Sequence, residues 1–180
     1  MRVSYDRSME ISGGPALTSR GREIRCFDYV NHPYEQVRDA LTKDAVAVFQ
    51  SATQAAASRA RSVAAELRVD LGGIGVEAGI NISVKKVEEK AAEGMTGPVT
   101  RLQFEWEAAK MPGLFPLMRA ELSVYPLTAT ETQLDFSGVY EPPLGAVGKA
   151  LNAVAGYRIA DASVHRFVSD VASYLRRTLT

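Results

Sequence analysis

The sequence predicts an α+β domain: an antiparallel sheet, dry on one face only, covered by one long C-terminal helix. Three observations lead there. Period-two alternation recurs in successive runs between residues 61 and 141, the pattern of strands with one buried and one wetted face. After Glu141-Pro142-Pro143 no proline follows, and the apolar residues from there on fall at helical spacings. The 180 residues are 46% apolar and 23% charged, which suits one globular domain with a core that needs neither metal nor disulfide.

The elements can be justified in order. Residues 1–21 carry Gly13-Gly14-Pro15 without a sustained period and are expected as an arm, poorly ordered or with a short strand over Met9–Ser12. The domain proper spans 22–180. Residues 22–30 are rich in strand formers, with an imperfect alternation that sets Phe27 and Tyr29 opposite Ile24 and Cys26. The strand stops at Asn31-His32-Pro33, where proline opens a helix over 33–42 carrying Val37, Ala40 and Leu41. Asp44 is placed to cap a second helix with a stripe of Val48, Phe49, Ala52, Ala55 and Ala56, ending near Ser58.

From Arg61 the period reads as two. Val63, Ala65, Leu67, Val69 and Leu71 form one phase, and Val76, Ala78, Ile80, Ile82 and Val84 the next, joined as a hairpin through Gly72-Gly73-Ile74-Gly75. Glu88–Pro98 is expected as a charged loop. Thr100, Leu102, Phe104, Trp106 and Ala108 give the cleanest alternation, followed by strands over 117–125 and 131–141. A helix over 144–178 would run roughly 50 Å, longer than an eleven-residue strand at about 36 Å. It therefore overhangs or bends, with Gly156 as the weak point.

Several function classes are excluded by the same reading. Lys+Arg and Asp+Glu balance at 21 each, so no net field steers the chain onto nucleic acid or an anionic membrane. Cys26 is the single cysteine, and His32 and His165 are the only histidines. No disulfide framework and no metal site are expected. The glycine run at 72–75 lacks a following Lys-Ser/Thr and precedes a strand, so it is no phosphate loop, and no cofactor is expected. The N-terminus has no apolar h-region, and no stretch approaches ~20 apolar residues. The expected location is cytoplasmic, with no membrane insertion.

The order of strand, two short helices, antiparallel strands and one long C-terminal helix resembles the helix-grip superfamily of START-like lipid-transfer, birch-pollen-allergen-like and polyketide-cyclase domains (SRPBCC). Leu114-Phe115-Pro116, Tyr140-Glu-Pro-Pro-Leu-Gly145 and Tyr157-Arg158-Ile159-Ala160 carry the resemblance, which spans roughly residues 22–178. It implies a curved sheet of about six to seven strands wrapped on the helix. It also implies a cavity between them for a hydrophobic small molecule such as a lipid, isoprenoid or polyketide. The superfamily's functions are diverse, so fold does not decide among them.

The ligand-lining set expected on that reading is Leu67, Val69, Leu102, Phe104, Trp106, Phe115, Leu122, Val124, Leu134, Phe136, Tyr140, Val154 and Arg158. The bland reading of the same face is a filled core. Trp106 and Tyr140 each carry a polar atom that needs a partner when buried.

An enzyme reading, cyclase- or aromatase-like, would use Tyr140, Arg158, Asp161 and His165. The last two share a helix face at a spacing of four, and Asp beside His can set up a general base. The bland reading is a surface ion pair. A third reading docks a protein partner through the sheet or the loop Ala109–Pro116. Glu105 and Glu107 fall on the wet face, and Cys26 reads as a buried, inert thiol.

Overall fold

A computed structural model describes residues 21–43, 45–66, 80–93, 97–108, 118–141 and 153–180. Their elements run β1 (Arg22–Val30), α1 (Tyr34–Lys43), α2 (Ala45–Glu66), β2 (Ile80–Lys90), β3 (Val99–Ala108), β4 (Met118–Pro126), β5 (Thr132–Tyr140) and α3 (Ala153–Thr178). The five strands form one antiparallel sheet in the order β1-β5-β4-β3-β2. The first strand thus pairs with the last, Cys26 opposite Phe136, and β2 and β1 are the edges among the described residues. This is the helix-grip α+β arrangement.

Alternation does what hydrophobicity requires of a one-sided sheet. Along β5, Thr132, Leu134, Phe136, Gly138 and Tyr140 are buried and the residues between them are not. The wet face carries cross-strand ion pairs, Lys85–Glu105 at 3.2 Å and Arg119–Glu105 and Arg101–Glu121 at 3.4 Å, each a modest exposed contribution. On the dry side, α3 presents Ala160, Val164, Phe167, Val168, Val171, Ala172 and Leu175, all buried at the spacings of one helical stripe. The helix α2 lies beside α3, where the Ser51 hydroxyl donates to Asp170 Oδ2 at 2.8 Å. At the far end Pro33 opens α1, its carbonyl accepting from Gln36 and Val37.

The structure departs from the sequence reading in four places. Residues 61–66 continue α2 to Glu66 instead of beginning a strand. Val63 and Ala65 mimic alternation, but the Ala- and Arg-rich run from 55 to 66 favours helix. The described sheet has five strands, against the six to seven expected. Strand β2 runs to Lys90, past the expected loop start at Glu88. A register shift between Val84 and Lys86 turns the phase, and Val84 and Val87 are exposed. Finally, Val154 is 63% exposed and Arg158 is exposed too, so the sheet-facing stripe of α3 lies elsewhere on the helix. Helix α3 is continuous through Gly156. Expectations on 1–20, Asp44, 67–79, 109–117 and 142–152, including Leu67, Val69 and Phe115, fall outside the described residues.

Candidate functional site

The middle of the sheet–helix interface holds an aromatic cluster. Phe49 of α2, Phe104 of β3, Phe136 of β5 and Phe167 of α3 meet with ring centroids 5.7 to 6.4 Å apart, the separations of packed aromatic rings. Leu102, Leu122, Val124 and Leu134 belong to the same buried cluster. Toward the α1 end a buried hydroxyl pair is satisfied: Tyr34 Oη and Thr100 Oγ1 are 2.7 Å apart.

The opposite end of the sheet differs. Tyr140 closes β5 there, paired with Arg22 of β1 and Met118 of β4, and Trp106 stands opposite Met118 on β3. The Tyr140 side chain is 2% exposed, yet among the described residues its hydroxyl has no hydrogen-bond partner. Burial pushes its pKa up, so at neutral pH the phenol is a proton donor and not a base. Tyr157 of α3 stands edge-on to it at 6.5 Å. The Arg22 guanidinium lies over the Tyr157 ring at 3.9 Å, and the Tyr157 hydroxyl donates to the Glu23 carbonyl at 3.4 Å. Tyr140, Tyr157 and Arg22 therefore form a series from the interior to the surface.

The four residues of the enzyme reading are not brought together. Arg158 is exposed, and the side chains of Asp161 and His165 are 40% and 58% exposed. His165 Nε2 is 3.9 Å from Asp161 Oδ1, a long pair in solvent. His165 instead borders a groove of about 480 Å3 at the β1 edge, lined also by Arg25, Cys26, Phe27 and Asp135. The Cys26 thiol is buried. Burial, reinforced by Asp161, Asp135 and Asp28, pushes its pKa up to about 12, which keeps it a protonated thiol. No cluster of metal-ligating side chains occurs among the described residues, and no described helix is long and apolar enough to cross a membrane.

This groove is absent from the sites read in the sequence. Its signal was the broken alternation of β1, which sets Phe27 and Tyr29 on the wet phase, and Phe27 is 72% exposed.

No family model matches the sequence, and no curated protein matches it. Among solved structures, the chain is similar to the Zhui aromatase/cyclase from Streptomyces sp. R1128. The identity is 14% and the TM-score 0.41, over 89% of this chain and 96% of that one. A hypothetical protein from Helicobacter pylori is similar at 11% identity and a TM-score of 0.45, over 98% of each chain. The norcoclaurine synthase from Thalictrum flavum, solved with dopamine and hydroxybenzaldehyde, is similar at 9% identity and a TM-score of 0.39. That match covers 97% of this chain and 99% of that one. These are likenesses of shape. The fold assignment stands on the chain's own topology: a helix-grip α+β protein whose first and last strands pair beside a long C-terminal helix.

Proposed function

We propose that the protein binds a compact, neutral, largely apolar small molecule carrying a hydrogen-bond acceptor, held between the sheet and α3 at the Tyr140 end. The observation that carries this reading is the buried Tyr140 hydroxyl without a partner. A buried donor left unsatisfied costs about 1–3 kcal/mol, and a ligand carbonyl would remove that cost. The four-phenylalanine cluster bounds the ligand's length, because a long straight chain would have to displace it. Aromatic and polyketide-like rings fit this description better than extended acyl chains.

Binding is favoured over catalysis by the same geometry. A protonated phenol can orient and polarise a carbonyl, but general-base work needs a second group inside. Arg158 is exposed, Asp161 is partly exposed, and His165 lies at the β1 edge.

The test is a matched pair of probes. Acetylnaphthalene and ethylnaphthalene have similar shape, and only the ketone accepts a hydrogen bond. The ketone is expected to bind about tenfold more tightly, the equivalent of one hydrogen bond, and Tyr140→Phe should abolish the difference. If neither probe binds, and native mass spectrometry of the purified protein shows no extractable small molecule, the binding reading is wrong.

A further inference from the structure

We infer that the β1 edge is a second, separate site, which takes a short extended peptide segment bearing a basic side chain as an added strand. The inference starts from backbone direction. In an antiparallel pair, alternate residues turn their N–H and C=O groups toward and away from the partner strand. The Glu23 carbonyl accepts from Tyr157 and the Tyr29 carbonyl from Arg176, both side chains of α3. The Tyr29 N–H donates to the Asp28 carboxylate at 2.8 Å. Residues of this parity therefore face away from β5, and Arg25 and Phe27 share it.

Helix α3 thus satisfies the outer edge of β1 at both ends, and among the described residues no hydrogen bond reaches that edge between them. The open window, Arg25-Cys26-Phe27, is about 10 Å long at the strand rise, and it coincides with the groove of about 480 Å3. Edge strands are normally blunted by charge, bulges or cover. The other described edge, β2, carries Lys85, Lys86 and Lys90 and a register shift. Among the described residues the β1 window has no bulge and no cover, its one charge, Arg25, is paired with Glu23, and it displays Phe27 at 72% exposure.

Charge specifies the occupant. The Arg25 guanidinium is already engaged, its Nε 2.7 Å from Glu23 Oε1. Asp135 stands opposite Phe27 on β5; among the described residues it accepts the neutral Tyr125 hydroxyl at 3.5 Å and forms no ion pair, although the Arg25 charge acts on it. A lysine on a strand added outside β1 would pass its ammonium over the Phe27 face toward Asp135, combining cation–π and ionic attraction. Main-chain bonds to Arg25 and Phe27 would supply the rest, as in strand addition generally.

The experiment titrates the isotope-labelled full chain with a blocked tetrapeptide, Thr-Lys-Val-Thr, and follows amide shifts and hydrogen exchange. Expected are saturable shifts at Arg25, Phe27 and His165, and at least about fivefold slower exchange at the first two amides, typical of weak strand pairing in the millimolar range. Asp135→Asn should weaken binding several-fold, as should the peptide with Glu for Lys. A peptide N-methylated at both Lys and Val should not bind, because one of these two N–H groups faces β1 in either strand direction. Phe27→Pro removes one outward N–H while sparing the pairing with β5, and it should also abolish binding. Three results would each overturn the inference. One is no shift at these amides. Another is binding indifferent to both N-methylation and charge. The third is slow exchange of both amides in the free chain, since the edge would then already be occupied.

Discussion

Two buried tyrosines define what single side chains do here. The Tyr34 hydroxyl is matched by Thr100, itself fully buried, whereas the Tyr140 hydroxyl is unmatched. Removing each oxygen should therefore have opposite consequences. Tyr34→Phe strands the Thr100 hydroxyl and is expected to lower the unfolding free energy by about 1–3 kcal/mol, while Tyr140→Phe should leave it unchanged or raise it by about 1 kcal/mol. Urea unfolding of the two variants decides. A clear loss in Tyr140→Phe would mean that its hydroxyl is already partnered in the free protein.

Cys26 makes a second prediction at this scale. Its thiol titrates near 12 in the folded chain against an ordinary 9.0. The unfolded chain therefore loses its proton first as pH rises. The corresponding stability is fully present below pH 9 and is lost between 9 and about 12, with a slope approaching about 1.4 kcal/mol per pH unit. Burial raises Tyr140 in the same direction. Urea midpoints at pH 7 and 10 should fall more steeply with pH in the native chain than in Cys26→Ala. Equal slopes would show that the thiol is not held protonated.

Among the elements, β5 is an internal strand, held between β1 and β4. At Gly138 an added Cβ would meet the Phe136 ring at 2.9 Å and the Met118 sulfur at 3.2 Å. Gly138→Ala must therefore push the Phe136 ring into the aromatic cluster, at an expected cost of about 1–3 kcal/mol. Trimming the ring should relieve it: in a Gly138→Ala, Phe136→Leu double variant the losses should be less than additive, and simple additivity would place the strain elsewhere. Strands β1 and β5 were legible to within a residue, because strand formers ending before Pro33 mark the first and alternation ending before Pro142 marks the second. The continuation of α2 was not. Val63 and Ala65 satisfy a period of two and also sit in a helix-favouring run, and a short apolar stretch cannot choose between these by pattern.

For the molecule as a whole, the arrangement of layers bounds the size of the proposed ligand. The rings from α2, β3, β5 and α3 pack across the middle of the interface, and the proposed ligand position is at the Tyr140 end. Phe104→Ala is expected to lower stability by about 3–5 kcal/mol and to open the interior along the sheet. Calorimetric titration should then show a long-chain methyl ketone gaining affinity relative to acetylnaphthalene. An unchanged preference in a folded variant would mean that the phenylalanine cluster does not limit the ligand.

The order of elements outside residues 61–79, the one-sided sheet and the buried state of Leu102, Phe104, Leu122, Leu134 and Phe136 were already written in the chain. They follow from local periodicity, proline and glycine placement, and the need to bury apolar surface. The placement of polar groups depended on non-local geometry. A helix stripe is readable, but which arc of α3 meets the sheet depends on a docking angle set by the partner side chains. Val154 and Arg158 consequently turned outward, and His165 came to rest beside Cys26 and Phe27 at the sheet edge. Whether a buried hydroxyl finds a partner is likewise decided by residues distant in sequence. Tyr34 meets Thr100 across 66 positions, and Tyr140 meets none among the described residues.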